Sequence, residues 1–229
     1  MHAQDFVIED ESEVDSIKPV LTLVPFQGAN YRSEIDRTLA KNESLDYQGL
    51  KYSMRQDLDR QLYMILSDRF NVNSLLKDNS EEDQKLLDYI FYSTASSFTY
   101  LESGEKVDRN LLKGGQIKEA PIQEGQRYMK TVLHNPELMV TLEDQIPSSY
   151  YLFIGELDIL LPTTLEEKES NRNIYVHFTL YNNKAEIVES GIVSQIIPLR
   201  KCKSVKDISN DGFAPIAYQF NDLFKELVE

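Results

Sequence analysis

The sequence predicts an α/β fold in the broad α+β sense. It is one domain with a mixed sheet of about five strands, a C-terminal antiparallel three-strand meander, and helices packed on the sheet. Three observations predict it. From Asn173 to Tyr181, Ile174, Val176, Phe178 and Leu180 alternate with Tyr175, His177, Thr179 and Tyr181, a period of two that sorts them onto opposite sheet faces. From Tyr47 to Phe70, Leu50, Met54, Leu58, Leu62, Ile65 and Leu66 recur at helical spacing. Near the carboxyl end, Ile216, Phe220, Leu223, Phe224 and Leu227 repeat that spacing.

In chain order, Asp5 to Lys18 is rich in Asp and Glu and reads as a flexible acidic arm over residues 1–18. Residues 19–229 then form the domain. Val20–Phe26 is a short apolar run behind Pro19 and predicts a buried strand. Gln27 to Asp46 reads as loop with a helical turn, in which Arg32 would pair with Glu34 and Arg37 with Asp36. The Tyr47–Phe70 helix stops at Asn71 and Asn73, and Val72–Leu76 is a candidate strand. Ser80 is placed to cap a helix running from Glu81 to Ser93 or Ser97, with Glu81, Glu82 and Asp83 in its first turn.

Residues 77–148 read as a long irregular insertion. Within it, 102–124 holds Gly104, Gly114, Gly115 and Pro121 and predicts a mobile loop. Glu124–Leu133 and Pro136–Gln145 are candidate short helices. The meander follows as Tyr150–Leu161, Asn173–Tyr181 and Ala185–Ile197. Asn182, Asn183 and Lys184 form its second turn, since Asn tolerates positive φ. Leu199–Asp211 is a polar connection, and Phe213–Val228 a final helix with Pro215 in its first turn.

The net charge of −14 disfavours nucleic acid as a partner. Arg200, Lys201, Lys203 and Lys206 form the best basic run and read as solvated loop. The single Cys202 excludes an internal disulfide and reads as an incidental, partly exposed thiol. No stretch approaches the roughly 20 apolar residues that span a bilayer, so any membrane association would be peripheral. Ala3 followed by Gln4 reads either as the scar of a removed export signal or as a natural short amino terminus.

The polar candidates are few. Glu156 and Asp158 stand two apart on one strand, and His177 would join them on the same face under a simple antiparallel register. Two carboxylates and an imidazole can do acid–base chemistry or hold a metal. They also fit the polar face of a half-solvated sheet. Tyr89, Tyr92, Phe98 and Tyr100 make an aromatic segment suited to a ligand, to core packing or to an interface. Gly114-Gly115 lacks the spacing of a phosphate loop, and no nucleophile elbow or paired-cysteine motif occurs. We expect no catalytic, cofactor or metal set, and hold these seven residues as contact candidates.

Three blocks together resemble a known domain. They are Val20–Phe26 (VLTLVPF), the helix end Leu62–Phe70 followed by Asn71-Val72, and Ser149–Ile159 with its Gly155-Glu156 step. This order resembles the α/β domain shared by the curli-secretion lipoprotein CsgG and the amino-terminal domain of TolB. Residues 77–148 would be an insertion in it, and the channel hairpins of CsgG and its lipid-attachment cysteine have no counterpart here. The resemblance implies a non-enzymatic protein, periplasmic or associated with the outer membrane, that contacts other envelope proteins in secretion or outer-membrane assembly. The alternatives are a cytoplasmic binding or regulatory module that uses the Tyr89–Tyr100 segment, and a hydrolase using Glu156, Asp158 and His177.

Overall fold

The architecture is known from a computed structural model, which describes residues 18–77, 80–100, 127–162 and 168–228. The expected mixed sheet is present. Its path runs β3 (Asn71–Ser74), β1 (Val20–Val24), β6 (Tyr150–Leu160), β7 (Asn171–Asn182), β8 (Ile187–Pro198). β1 lies parallel to β3 and β6, while β6, β7 and β8 form the antiparallel meander. A short β2 (Tyr31–Ser33) continues beyond β1 along β6, also parallel.

Gln27 to Asp46 is more regular than its polarity suggested. Besides β2 it contains α1 (Asp36–Glu43), whose Leu39 is fully buried. α2 (Tyr47–Leu66) begins where Asp46 accepts from the Gly49 N–H and ends a turn before Phe70. Its stripe packs on one sheet face with α5 (Val205–Ile208) and α6 (Ala214–Leu223). The expected polar connection before α6 is thus partly helical. A π turn, Ser209–Phe213, joins α5 to α6, and at Gly212 an added Cβ would run into the Ile174 side chain of β7. This layer is strongly aromatic: the Phe178 ring of β7 meets Phe220 edge-on at 4.9 Å and Phe224 at 6.1 Å.

The other face carries two covers. α3 (Glu81–Ser93) and α4 (Leu138–Gln145) bury Leu86, Leu87, Ile90, Leu138, Met139 and Leu142 against Val24, Tyr151, Phe153 and Tyr181. Ser80 caps α3 by accepting from the Asp83 N–H, as expected. The second cover is a hairpin-like pair, β4 (Thr94–Tyr100) with β5 (Arg127–Leu133). It corrects two expectations. The chain leaves α3 at Thr94 in extended backbone, φ −120 and ψ 154, so the helix ends at Ser93. The helix expected over Glu124–Leu133 is a strand over its described part, because Arg127–Leu133 finds its hydrogen-bond partners on β4. The described parts of 77–148 are therefore largely regular. Residues 1–17 and the predicted mobile loop at 102–124 lie outside the described residues. In the turn after β7 the positive φ falls on Ala185, at 63°, while Asn182 Oδ1 accepts from the N–H groups of Lys184 and Glu186.

Among the described residues no helix is long and apolar enough to cross a membrane. Cys202 is buried, not partly exposed, and burial pushes its thiol up to about 11. Asp59 of α2 is a buried carboxylate that accepts from the Ser74 hydroxyl of β3. Burial pushes its carboxyl up to about 6, against the opposing pull of Ser74 and Arg55.

Two stability predictions follow from this packing. Phe220→Ala should cost roughly 3–5 kcal/mol in urea unfolding, because it empties a site shared with Phe178 and Phe224. For Asp59 the folded state holds the proton more tightly than the unfolded chain, whose carboxyl titrates near 3.9. Its favourable contribution is complete below that value and is lost as pH rises through about 6. Asp59→Asn should therefore stabilise the protein at pH 7, by on the order of 1–3 kcal/mol, and by little at pH 4. An equal gain at both pH values would refute the assignment.

Candidate functional site

The site begins with a change of phase in β6. Leu152 and Ile154 point into the α2–α6 core, and so do Leu157 and Ile159. Even positions face the core before Gly155, odd positions after it. The cause is a bulge: Ile154 pairs with Phe178 and Glu156 with His177, leaving Gly155 unpaired between them. Without that extra residue Glu156 and Asp158 would point into the apolar layer. With it they turn to the face covered by the β4–β5 pair, and His177 joins them as expected.

All three side chains are buried: Glu156 and Asp158 are 2 % exposed and His177 0 %. This is not a wet sheet face. Each carboxylate is met by a guanidinium that sequence reading did not assign to it. Arg32 of β2 makes a two-pronged contact with Asp158, its Nε 2.8 Å from Oδ1, and Nε also lies 3.5 Å from Glu156 Oε1. The expected pairing of Arg32 with Glu34 gives way to this one; Glu34 instead accepts the Leu161 N–H. Likewise Asp36 accepts from the Tyr31 hydroxyl at 2.6 Å. Arg127 of β5 binds Glu156 and lays its guanidinium 4.6 Å from the Phe98 ring centre. Burial alone would raise the Asp158 carboxyl. Hydrogen bonds from Arg32 and His177, together with the Arg32 charge, outweigh it and hold the group below its ordinary range.

His177 is defined by its other neighbour. The Met129 N–H of β5 donates to Nδ1 at 3.0 Å. A ring nitrogen that accepts carries no proton, so the imidazole proton sits on Nε2. Nε2 lies 3.5 Å from Asp158 Oδ2 and 3.9 Å from Glu156 Oε2. The Tyr128 ring stacks on the imidazole with centres 6.4 Å apart. The next residues on this face of β7 continue the pattern. Thr179 Oγ1 accepts the Thr131 N–H at 3.0 Å, and the Tyr181 hydroxyl donates to the Thr131 carbonyl at 2.9 Å. The polar face of β7 thus supplies side-chain partners for the backbone edge of β5. The crossing is close: a Cβ at Gly155 would stand 3.4 Å from the Met129 carbonyl oxygen.

Glu156, Asp158 and His177 offer ligand atoms within 4.8 Å of one another, a set that suits a divalent cation on paper. The donor chemistry fits poorly. A metal at Nε2 needs its lone pair, which would move the proton to Nδ1, directly against the Met129 N–H. Both carboxylates already hold guanidinium groups. The same proton assignment deprives His177 of the free lone pair that a general base requires. The arrangement is suited to fastening β2 and β5 to the sheet.

The aromatic candidates divide. Tyr89 is half-buried and its hydroxyl accepts from Asn135 at 3.1 Å, whereas Tyr92 is 80 % and Phe98 50 % exposed. Tyr100 ends β4, and its side chain lies outside the described residues. Arg200, Lys201, Lys203 and Lys206 are exposed as expected, but Lys206 stands on α5 and Arg200 and Lys201 on a 3-10 turn, so the run is not simply loop. Beside the bulge a polar cavity of about 140 Å³ lies among Gln27, Asn30, Thr94, Ser96 and Thr131. Asn30 spans it, donating to the Gly155 carbonyl at 2.9 Å and to Ser96 Oγ at 3.2 Å.

No family model and no curated protein matches this chain. Among solved structures, the hypothetical protein CT253 from Chlamydia trachomatis is similar over 92 % of this chain and 94 % of its own, at 14 % identity and a TM-score of 0.36. A similarity of that degree carries no argument about function.

Two outcomes test this account of the site. His177→Ala should speed hydrogen exchange at the Met129 amide by about tenfold or more while leaving the β6–β7 ladder protected; unchanged exchange would show that the imidazole does not hold β5. Arg127→Met should cost roughly 2–4 kcal/mol, because it leaves the buried Glu156 with only the more distant Arg32, and adding Glu156→Gln should restore part of that loss.

Proposed function

We propose that this chain is a non-enzymatic protein of the cell envelope, periplasmic or associated with the outer membrane, that acts in secretion or outer-membrane assembly by contacting other proteins. The observation that carries the non-catalytic part is the hydrogen bond from Met129 to His177 Nδ1. It commits the imidazole of the Glu156, Asp158 and His177 constellation to structure. The carboxylates beside it are bound by Arg32 and Arg127. Support for the compartment comes from the order of the Val20–Phe26, Leu62–Val72 and Ser149–Ile159 blocks, which resembles the CsgG and TolB domains. Support for a contact role comes from aromatic side chains left outside, Tyr92 and Phe98 of the candidate segment among them.

The test is fractionation of the native organism combined with affinity capture of the intact protein. Recovery with envelope proteins is expected, and Glu156→Gln should leave it unchanged once folding is confirmed. Recovery as a free cytoplasmic protein would overturn the compartment. A hydrolytic activity lost in Glu156→Gln without loss of stability would overturn the non-catalytic reading.

A further inference from the structure

The side-chain ladder on β7 has a consequence for β4. Met129 and Thr131 send their N–H groups to His177 and Thr179, hence away from β4. Their partners in the antiparallel register are Phe98 and Ser96. Opposed residues in such a pair share one orientation, so the N–H and C=O groups of Ser96 and Phe98 also point away from the partner strand. Among the described residues, β4 pairs with β5 alone and no hydrogen bond reaches these backbone groups.

Sheets usually protect such an edge with charge, proline, a bulge or brevity. The other edges do. β3 is four residues long. β8 carries Glu189, a register break against β7 and a terminal Pro198. β4 reads Thr-Ala-Ser-Ser-Phe-Thr-Tyr over seven residues, with no charge and no proline. Ala95, Ser96, Ser97 and Phe98 are exposed, and Phe98 is braced from below by the Arg127 guanidinium.

We infer that β4 is a strand-addition site whose occupant is an extended, uncharged segment of a partner protein, held by main-chain hydrogen bonds to Ser96 and Phe98 and by an apolar side chain against the Phe98 ring. This rests on the protein-contact role proposed above and names the surface that performs it. The backbone edge determines the class of occupant, since only another extended main chain answers alternating N–H and C=O groups. The neutrality of β4 sets its character: the strand carries no charged side chain to answer one on the occupant, and a charge buried unanswered is costly, so an uncharged segment is favoured.

The probe is a fluorescein-labelled peptide of alternating threonine and valine with a central phenylalanine, about as long as a typical strand, read by anisotropy against the full chain. Saturable binding with Kd of about 1–100 µM is expected. It should weaken at least about tenfold when alternate amides of the peptide are N-methylated, and equally in Ser96→Pro, which removes an outward N–H. If Ser96→Pro unfolds the chain, Phe98→Lys tests the same edge. Absence of saturation to about 1 mM, or binding indifferent to N-methylation, would overturn the inference. So would dimerisation of the chain that Phe98→Lys abolishes, which would make a second copy the occupant. A partner captured equally by wild type and Ser96→Pro would remove β4 while leaving the contact role intact.

Discussion

One hydrogen bond, from the Met129 amide to His177 Nδ1, governs the polar face of the sheet. It sets the imidazole tautomer and so directs the ring proton toward Asp158 and Glu156. It also anchors β5, which lies across the sheet and does not join its ladder. Because β5 spends its edge on the side chains of β7, β4 is left with its own edge outward. The tautomer of the imidazole and the orientation of the β4 edge follow from the same contact.

The second constraint is charge placement. Taking carboxylates out of water costs several kcal/mol each unless cations and hydrogen bonds answer them. Here the answering groups come from different parts of the chain: Arg32 from β2 and Arg127 from β5. Such a cluster adds little net stability over an apolar core, but it tolerates few alternatives. Register slips of β2 or β5 would leave a buried charge unanswered. The two faces of the sheet thus divide the work: the α2–α6 face supplies apolar burial, and the opposite face supplies the specificity with which the hairpin docks.

Asp59 obeys the same physics with the opposite sign. Among the described residues no guanidinium is hydrogen-bonded to it, and the pull of Arg55 is weaker than burial, so its carboxyl is held high, whereas Asp158 binds Arg32 and is held low. Two aspartates in one domain therefore push stability in opposite directions as pH changes. The Asp158 contribution begins to be lost as pH falls through the ordinary carboxylate range of the unfolded chain, and the loss is complete only below it, where the depressed group finally takes its proton.

The sequence by itself determined the elements whose stripes are local: the α2 helix, the α3 cap at Ser80, the meander and the terminal aromatic stripe. Their periodicity is set by burial of one face, and the residues that report it are neighbours in the chain. It also carried a signal that went unread. The apolar phase switches between Ile154 and Leu157, and a glycine stands at the switch, which is how a bulge is written in sequence. Only the tertiary structure decided the rest. Arg32 meets Asp158 across 126 residues and Met129 meets His177 across 48. Nothing local distinguishes Arg127–Leu133 from a short helix, because what makes it a strand is β4 on one edge and the side chains of β7 on the other. Contacts at such separation depend on how the layers close over one another, and no periodicity within a segment encodes that.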